Sequence, residues 1–152
     1  MSALKLPEAV DRVETLGVAD QRLLRSTLVD LVYKKRAVRV PKACEDFSAL
    51  EAAGLVVRVD DPVGFAVAPD LCKVGRKLCT YLTRRNETDS YYDPDRGMVD
   101  YPKGAELCGV MDLPDPATWH AEFPDDEITA LLDLHGVNRC RTWQPPRKGG
   151  AG

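Results

Sequence analysis

The residues best suited to proton transfer lie together near position 120. His120 is followed by Glu122 and then by Asp125, Asp126 and Glu127. An imidazole beside carboxylates can act as a general acid or base near neutral pH. His120 also follows a tryptophan in a segment interrupted by prolines, where a packed or solvated histidine is the commoner outcome. We therefore predict no catalytic residue in this cluster.

Five cysteines and two histidines could supply disulfides or metal ligands. The cysteines are odd in number, and the chain has enough apolar residues to build its own core, so a disulfide scaffold is not expected. No C-x-x-C pair is present, and a zinc site would have to gather its ligands from distant segments. Its candidate ligands are Cys72, Cys79, Cys108, Cys140, His120 and His135. We predict buried cysteines and no metal, and a helix-capping role for His135 beside Gly136.

The sequence contains none of the common catalytic or cofactor-binding motifs. The chain contains no glycine-rich phosphate loop, no Gly-x-Ser-x-Gly, no His-Glu-x-x-His and no dinucleotide-binding fingerprint. No apolar run approaches the roughly 18 to 20 residues that cross a bilayer. The N-terminus also lacks the long apolar stretch of a secretory signal. We predict a soluble cytoplasmic protein that is not an enzyme and uses no cofactor.

The net charge of -3 conceals a strong segregation of charge along the chain. Residues 1–86 hold 15 basic and 11 acidic side chains, a net charge of +4. Residues 87–138 hold 2 basic and 13 acidic side chains, a net charge of -11. Residues 139–152 carry four basic side chains and no acidic one. Such asymmetry indicates different partners for different parts of a chain.

The first half of the chain alternates helical and strand patterns. Apolar spacing predicts a helix over 6–16 and a long amphipathic helix from Asp20 to the cations at 34–36. Alternation predicts a short strand over 37–40, and residues 43–53 predict a helix of about three turns that ends at Gly54. A β-hairpin over 55–68 with its turn at 61–64 follows, and then a helix from Pro69 to Asn86.

The second half shows weaker patterns. Residues 86–97 are acidic and rich in turn formers, which predicts a long loop, and prolines interrupt the sequence as far as Pro124. Acidic residues at 125–127 followed by Ile128, Leu131 and Leu132 predict a helix that ends at Gly136. The tail from 144 to 152 is predicted to be disordered.

The order of elements over residues 20–85 resembles a winged-helix module. The likeness is carried by Phe47, the run Leu50-Glu51-Ala52-Ala53-Gly54-Leu55-Val56, the hairpin strand Phe65-Ala66-Val67-Ala68-Pro69, and Gly75-Arg76-Lys77-Leu78. In winged-helix regulators a helix ending in a similar glycine step leads into a β-hairpin wing, which returns into another helix. The resemblance implies a DNA-binding transcription regulator. Residues 41–54 have room for one helix where the family usually has two.

The helix in the recognition position is acidic, since Glu45, Asp46 and Glu51 stand there against Lys42 alone. Carboxylates oppose contact with a phosphate backbone. We therefore predict a nucleic-acid-binding face built from basic residues on the flanking elements: Lys34, Lys35, Arg36, Arg39, Arg58, Lys73, Arg76, Lys77 and Arg84. The plainer interpretation of these charges is a solvated surface.

These patterns predict an α+β fold, mostly helical, with a small β-hairpin. The predicted domains are a winged-helix-like domain over 1–86, an acidic, loop-rich region with one helix over 87–143, and the tail. The acidic region is expected to bind a protein partner or to form a homodimer, through Tyr91, Tyr92, Asp125, Asp126 and Glu127. The alternative function is a protein-interaction module, such as an inhibitor or adaptor encoded by a phage or mobile element, that binds a basic protein and no DNA.

Overall fold

A computed structural model describes residues 3–102 and 126–137 of the chain. These residues confirm the α+β fold class. The helices are α1 (Leu6–Glu14), α2 (Val18–Leu28), α3 (Ser48–Ala52), α4 (Gly75–Asn86) and α5 (Asp126–Leu134), and the strands are β1 (Val56–Asp60), β2 (Val63–Val67), β3 (Thr88–Asp93) and β4 (Gly97–Pro102). A π-helical segment, Val29–Tyr33, continues α2, and a short 3-10 helix, Pro69–Leu71, precedes α4.

The chain divides into two compact units, Met1–Leu82 and Thr83–Gly152. The division falls within α4, a few residues before the predicted boundary at Asn86, where that helix ends. The predicted tail over 144–152 lies outside the described residues, as do His120, Glu122 and Asp125 of the cluster near position 120.

The core of the first unit is built by the apolar faces of its helices and the hairpin β1–β2. Buried side chains recur along α1 and α2 at the helical spacing that the sequence indicates, and they meet others from α3, β1 and α4: Leu6, Ala9, Val10, Val13, Leu24, Leu28, Leu50, Leu55, Val56, Leu78 and Leu82. Gln21 is one of the polar residues buried in this unit. Its side-chain amide donates hydrogen bonds to the carbonyl oxygens of Val13 (2.8 Å) and Leu16 (3.2 Å), so it satisfies groups left open where α1 ends.

The predicted strand over 37–40 is reduced to a single bridging residue. Arg39 and Phe65 exchange two backbone hydrogen bonds of 2.9 Å, which adds a third chain segment to the antiparallel pair β1–β2. The ring of Phe65 stacks on Phe47, with 4.5 Å between ring centroids. Gly64 makes this close approach possible, because a Cβ there would lie 2.7 Å from the backbone oxygen of Arg39.

The helix predicted over 43–53 forms only in its second half. The Asp46 carboxylate accepts hydrogen bonds from the backbone amide of Ser48 (2.9 Å) and from its hydroxyl (2.5 Å), and both bonds lower the pKa of Asp46. The Glu45 carboxylate accepts a bond from the backbone amide of Lys42 at 3.0 Å. Carboxylates that bond nearby amides in this way favour turns over helix, so α3 begins only at Ser48.

The other predicted helices of the first half also begin or end differently. The long helix leaves α geometry at Val29, and Lys35 then takes a positive φ of 54°, which ends it before Arg36. The helix predicted from Pro69 begins as the 3-10 turn, and α4 itself starts at Gly75.

The predicted acidic loop over 86–97 is wrong, because this segment begins the hairpin β3–β4. Tyr91 pairs with Val99 across the two strands, and both side chains are buried. The turn is closed by Asp93, which accepts a bond from the backbone amide of Asp95 at 2.8 Å, and Gly97 has a φ of +80°. The predicted C-terminal helix is confirmed as α5, with Gly136 at a φ of +73° after its end.

Candidate nucleic-acid interface

Six of the predicted nucleic-acid-binding residues are exposed and lie on two adjoining segments of the first unit. Lys34, Lys35 and Arg36 follow the π-helical segment, and Lys73, Arg76 and Lys77 lie around the start of α4. We call these six residues the basic surface. The two segments pack closely because Gly75 has no side chain: a Cβ there would lie 3.2 Å from Cγ2 of Val32.

A cation–π contact links the two segments directly. The guanidinium carbon of Arg76 lies 5.2 Å from the ring centroid of Tyr33, which is itself exposed and precedes Lys34. Cations within about 6 Å of an aromatic ring are attracted to its face. The contact therefore holds the first turn of α4 beside the cations that follow the π-helical segment.

Most of the charge on the basic surface has no acidic counterpart within the described part of the chain. Lys34 lies 3.4 Å from Asp30, whereas Lys35, Arg36, Lys73 and Arg76 form no ion pair there. The first turn of α4 contains no acidic residue. Cations at a helix N-terminus oppose the helix dipole, so this arrangement lowers the stability of the helix and favours an external anion.

Arg39 was predicted to contact nucleic acid, and its burial removes it from the candidate surface. Its side chain is only 8% exposed. The guanidinium lies 2.6 Å from Glu45 and 3.6 Å from Asp30, and it donates a hydrogen bond of 3.3 Å to the hydroxyl of Thr27. All three partners belong to the first unit, so Arg39 acts as an internal counter-ion.

Arg84, which was also predicted to contact nucleic acid, is buried as well. Its side chain is 1% exposed, and it donates a 2.9 Å hydrogen bond to the hydroxyl of Thr129 on α5. A guanidinium buried in this way cannot reach a phosphate backbone.

Arg58 remains exposed on β1 but is bound locally. It lies 3.5 Å from the Glu51 carboxylate, and its guanidinium carbon is 5.4 Å from the ring centroid of Phe65. An exposed ion pair of this kind contributes little to stability, yet it offsets the charge that would attract phosphate. We therefore leave Arg58 outside the basic surface.

A cavity of about 330 Å³ lies beside the basic surface and was not predicted. It is lined by Leu31, Val32, Arg36, Ala37, Ala66, Val67 and Cys72. These residues come from the end of the π-helical segment, from β2 and from the approach to α4. Side chains contributed by separate segments leave no periodic signal in a sequence, so sequence patterns could not reveal the cavity.

The predicted partner-binding tyrosines lie on opposite faces of the hairpin β3–β4. Tyr91 is buried, and this burial raises the pKa of its hydroxyl, so it is not available to a partner. Tyr92 is 68% exposed and stands directly opposite Met98, which is 64% exposed. The prediction that Tyr91 contacts a partner is therefore wrong. Tyr92 is exposed, and Met98 is an exposed apolar residue directly across the hairpin from it.

The acidic residues predicted for the same role are only partly described. Glu127 is exposed at the start of α5, and Asp126 opens that helix. Asp125 lies outside the described residues.

The described cysteines and histidine form no group that could hold a metal ion. Cys79 is buried as predicted, whereas Cys44 and Cys72 are exposed, which contradicts the prediction of buried cysteines. No helix within residues 3–102 or 126–137 has the length and apolar character needed to cross a membrane.

Comparison with known proteins gives no relative: no family model matches the chain, and neither the curated proteins nor the solved structures include a significant match.

Proposed function

We propose that this protein is a non-enzymatic, winged-helix-like regulatory protein that binds double-stranded DNA through the basic surface. The observation that carries the proposal is the gathering of exposed cations, four of them without an ion-pair partner among the described residues, around the first turn of α4. An acidic side chain would be the stabilising choice at that helix end. A phosphate group bound there would supply the missing negative charge.

The arrangement of the first unit supports the winged-helix part of this proposal. The bridge at Arg39 joins the hairpin β1–β2 as a third segment, with α3 before the hairpin and α4 after it. The departure lies in α3, which is a short helix that carries Glu51 and follows Glu45 and Asp46. DNA contact is therefore assigned to the end of the π-helical segment and the start of α4 rather than to the usual recognition helix.

Contacts of this type position a protein on DNA without reading its sequence. Lysine and arginine side chains that neutralise phosphates release condensed counterions, so the affinity falls steeply as salt is added. The basic surface supplies such groups, and we expect binding to random duplex DNA with a Kd in the range of roughly 10⁻⁴ to 10⁻⁶ M at physiological salt.

The first prediction concerns the double variant Lys73→Gln, Arg76→Gln. Fluorescence anisotropy with a random-sequence duplex should show an affinity at least about tenfold lower at low salt. The slope of log K against log salt should fall by about 1.8, because each lost phosphate contact contributes about 0.9. The matched control is Lys5→Gln, Lys42→Gln, which removes the same net charge at two other exposed positions.

Unchanged slopes in both variants would contradict the proposal if the wild-type protein binds. So would equal losses in both, since net charge rather than the basic surface would then govern affinity. An absence of wild-type binding at low salt would remove DNA as the partner.

A second candidate function is supported by the exposed pair Tyr92 and Met98. The hairpin segment 87–102 carries five acidic residues and one cation, Arg96, which lies 3.1 Å from Asp93. An exposed aromatic and a methionine within an acidic surface suit a basic partner that also offers an apolar side chain. In this function the hairpin β3–β4 docks such a protein, and no DNA is required.

The second prediction tests this docking with a synthetic peptide in which leucines alternate with lysines. The double variant Tyr92→Ser, Met98→Ser should bind the peptide about tenfold more weakly, because the loss of buried apolar area weakens binding by about 1 to 2 kcal/mol. The control is Val40→Ser, Val63→Ser, which removes two exposed apolar side chains from the first unit. Equal affinities for both double variants would exclude the Tyr92–Met98 pair as the docking site.

A further inference from the structure

The 330 Å³ cavity beside the basic surface has the size and lining of a small-molecule site. Pockets that bind such ligands have volumes of roughly 300 to 1,000 Å³ and combine apolar walls with a few polar groups. Its walls are formed by leucine, valine and alanine side chains from the π-helical segment and β2. Among the described lining residues, Arg36 is the charged one, and it places a cation beside apolar side chains.

The charge of Arg36 is not offset by the described part of the protein. Its guanidinium forms no ion pair there, and its neighbour Lys35 likewise has none. Lys73 is a further exposed cation, and it directly follows the lining residue Cys72 in the sequence. No acidic residue lines the cavity among residues 3–102 and 126–137, and these residues provide an electrostatic environment that favours an anion.

We propose that this cavity binds a small amphipathic carboxylate. The apolar body of the ligand packs against Leu31, Val32 and Val67, and its carboxylate accepts paired hydrogen bonds from the Arg36 guanidinium. This inference does not depend on DNA binding. Because Arg36 also belongs to the basic surface, an occupied cavity would remove one cation from that surface.

Cys72 provides a direct report of occupancy. Its thiol is exposed and lines the cavity, so a ligand there shields it from alkylation. Cys44 is also exposed but is not a lining residue, which makes it an internal control within the same molecule.

The third prediction is that decanoate, used below its micelle concentration, protects Cys72 from iodoacetamide in the full chain without nucleic acid. Mass spectrometry of the alkylated peptides gives the rate at each cysteine. At a decanoate concentration about ten times its Kd, the Cys72 rate should fall about tenfold, because only the unoccupied fraction reacts. The Cys44 rate should not change.

Two variants test the two parts of the proposed contact. Ala66→Phe fills the cavity and should abolish the protection. Arg36→Gln, at an exposed position that does not threaten folding, should raise the Kd of decanoate about tenfold. Decanol, which lacks the charge, should bind the wild type and Arg36→Gln equally. No protection by decanoate, equal protection of both cysteines, or an unchanged Kd in Arg36→Gln would overturn the proposal.

Discussion

Replacement of Gly64 by alanine is expected to lower the free energy of unfolding by about 3 kcal/mol. The new Cβ would lie 2.4 Å from Cγ1 of Val38 and 2.7 Å from the backbone oxygen of Arg39. The backbone oxygen cannot move without separating the 38–40 segment from β2. Two backbone hydrogen bonds between Arg39 and Phe65 would be strained or lost with it. Urea unfolding followed by circular dichroism measures the change.

The matched control is Gly17→Ala. No atom lies within 4 Å of a Cβ built at Gly17, and its φ of -70° is compatible with alanine. We expect its free energy of unfolding to stay within about 1 kcal/mol of the wild type. A loss at Gly64 no larger than the loss at Gly17 would show that the 38–40 segment does not pack tightly on β2.

The structural role of Gly64 is not evident from the residues next to it in the sequence. Its neighbours Asp61 and Pro62 predict a turn, and a glycine nearby fits that turn by composition. The structure instead places it in β2, against a segment more than twenty positions earlier in the chain. Local patterns describe neighbours along the sequence, whereas the need for this glycine comes from a tertiary contact.

The helices and the first hairpin were predictable because their signals are local. Leucines at helical spacing predict α2, and Gly54 and Gly136 mark the ends of α3 and α5 with positive φ. The hairpin β3–β4 gave no such signal, since its strands mix tyrosines with aspartates and serine and each exposes most of one face. Turn-forming residues then dominate the composition and predict a loop.

The candidate site was predictable as a set of charges but not as a surface. Lys34 to Arg36 and the cations around α4 were identified, yet their convergence depends on the packing of Gly75 against Val32. The predicted set of basic residues also included Arg39. The structure buries this arginine and exposes the neighbouring Val40 (63%), whereas the valine would ordinarily be the buried residue of the two. A basic residue in an alternating segment is ordinarily expected to face solvent. The burial of Arg39 could not be predicted locally, because its acidic partners Asp30 and Glu45 lie in other segments.

Arg39→Met should lower the free energy of unfolding by about 3 kcal/mol, because it leaves the partly buried Glu45 carboxylate without its counter-ion and Asp30 paired with Lys34 alone. Asp30 and Glu45 have side chains only 15% and 14% exposed. The further changes Asp30→Asn and Glu45→Gln in the same chain should recover much of the loss, since the cost lies in uncompensated charge. Urea unfolding of the single and triple variants measures both effects.

Arg58→Met is the matched control for Arg39→Met, because Arg58 also pairs with a glutamate but is 61% exposed. Exposed pairs contribute about 0 to 1 kcal/mol, so this variant should unfold almost as the wild type does. Without urea both variants are folded, and each should show the same slope of log K against log salt for DNA binding as the wild type. A slope about 0.9 lower in Arg39→Met would instead show that its guanidinium reaches a phosphate. Equal stabilities of the two variants would contradict the counter-ion role assigned to Arg39. Unfolding therefore tests the structural role of this arginine, and the salt slope of DNA binding tests whether it also acts as a surface cation.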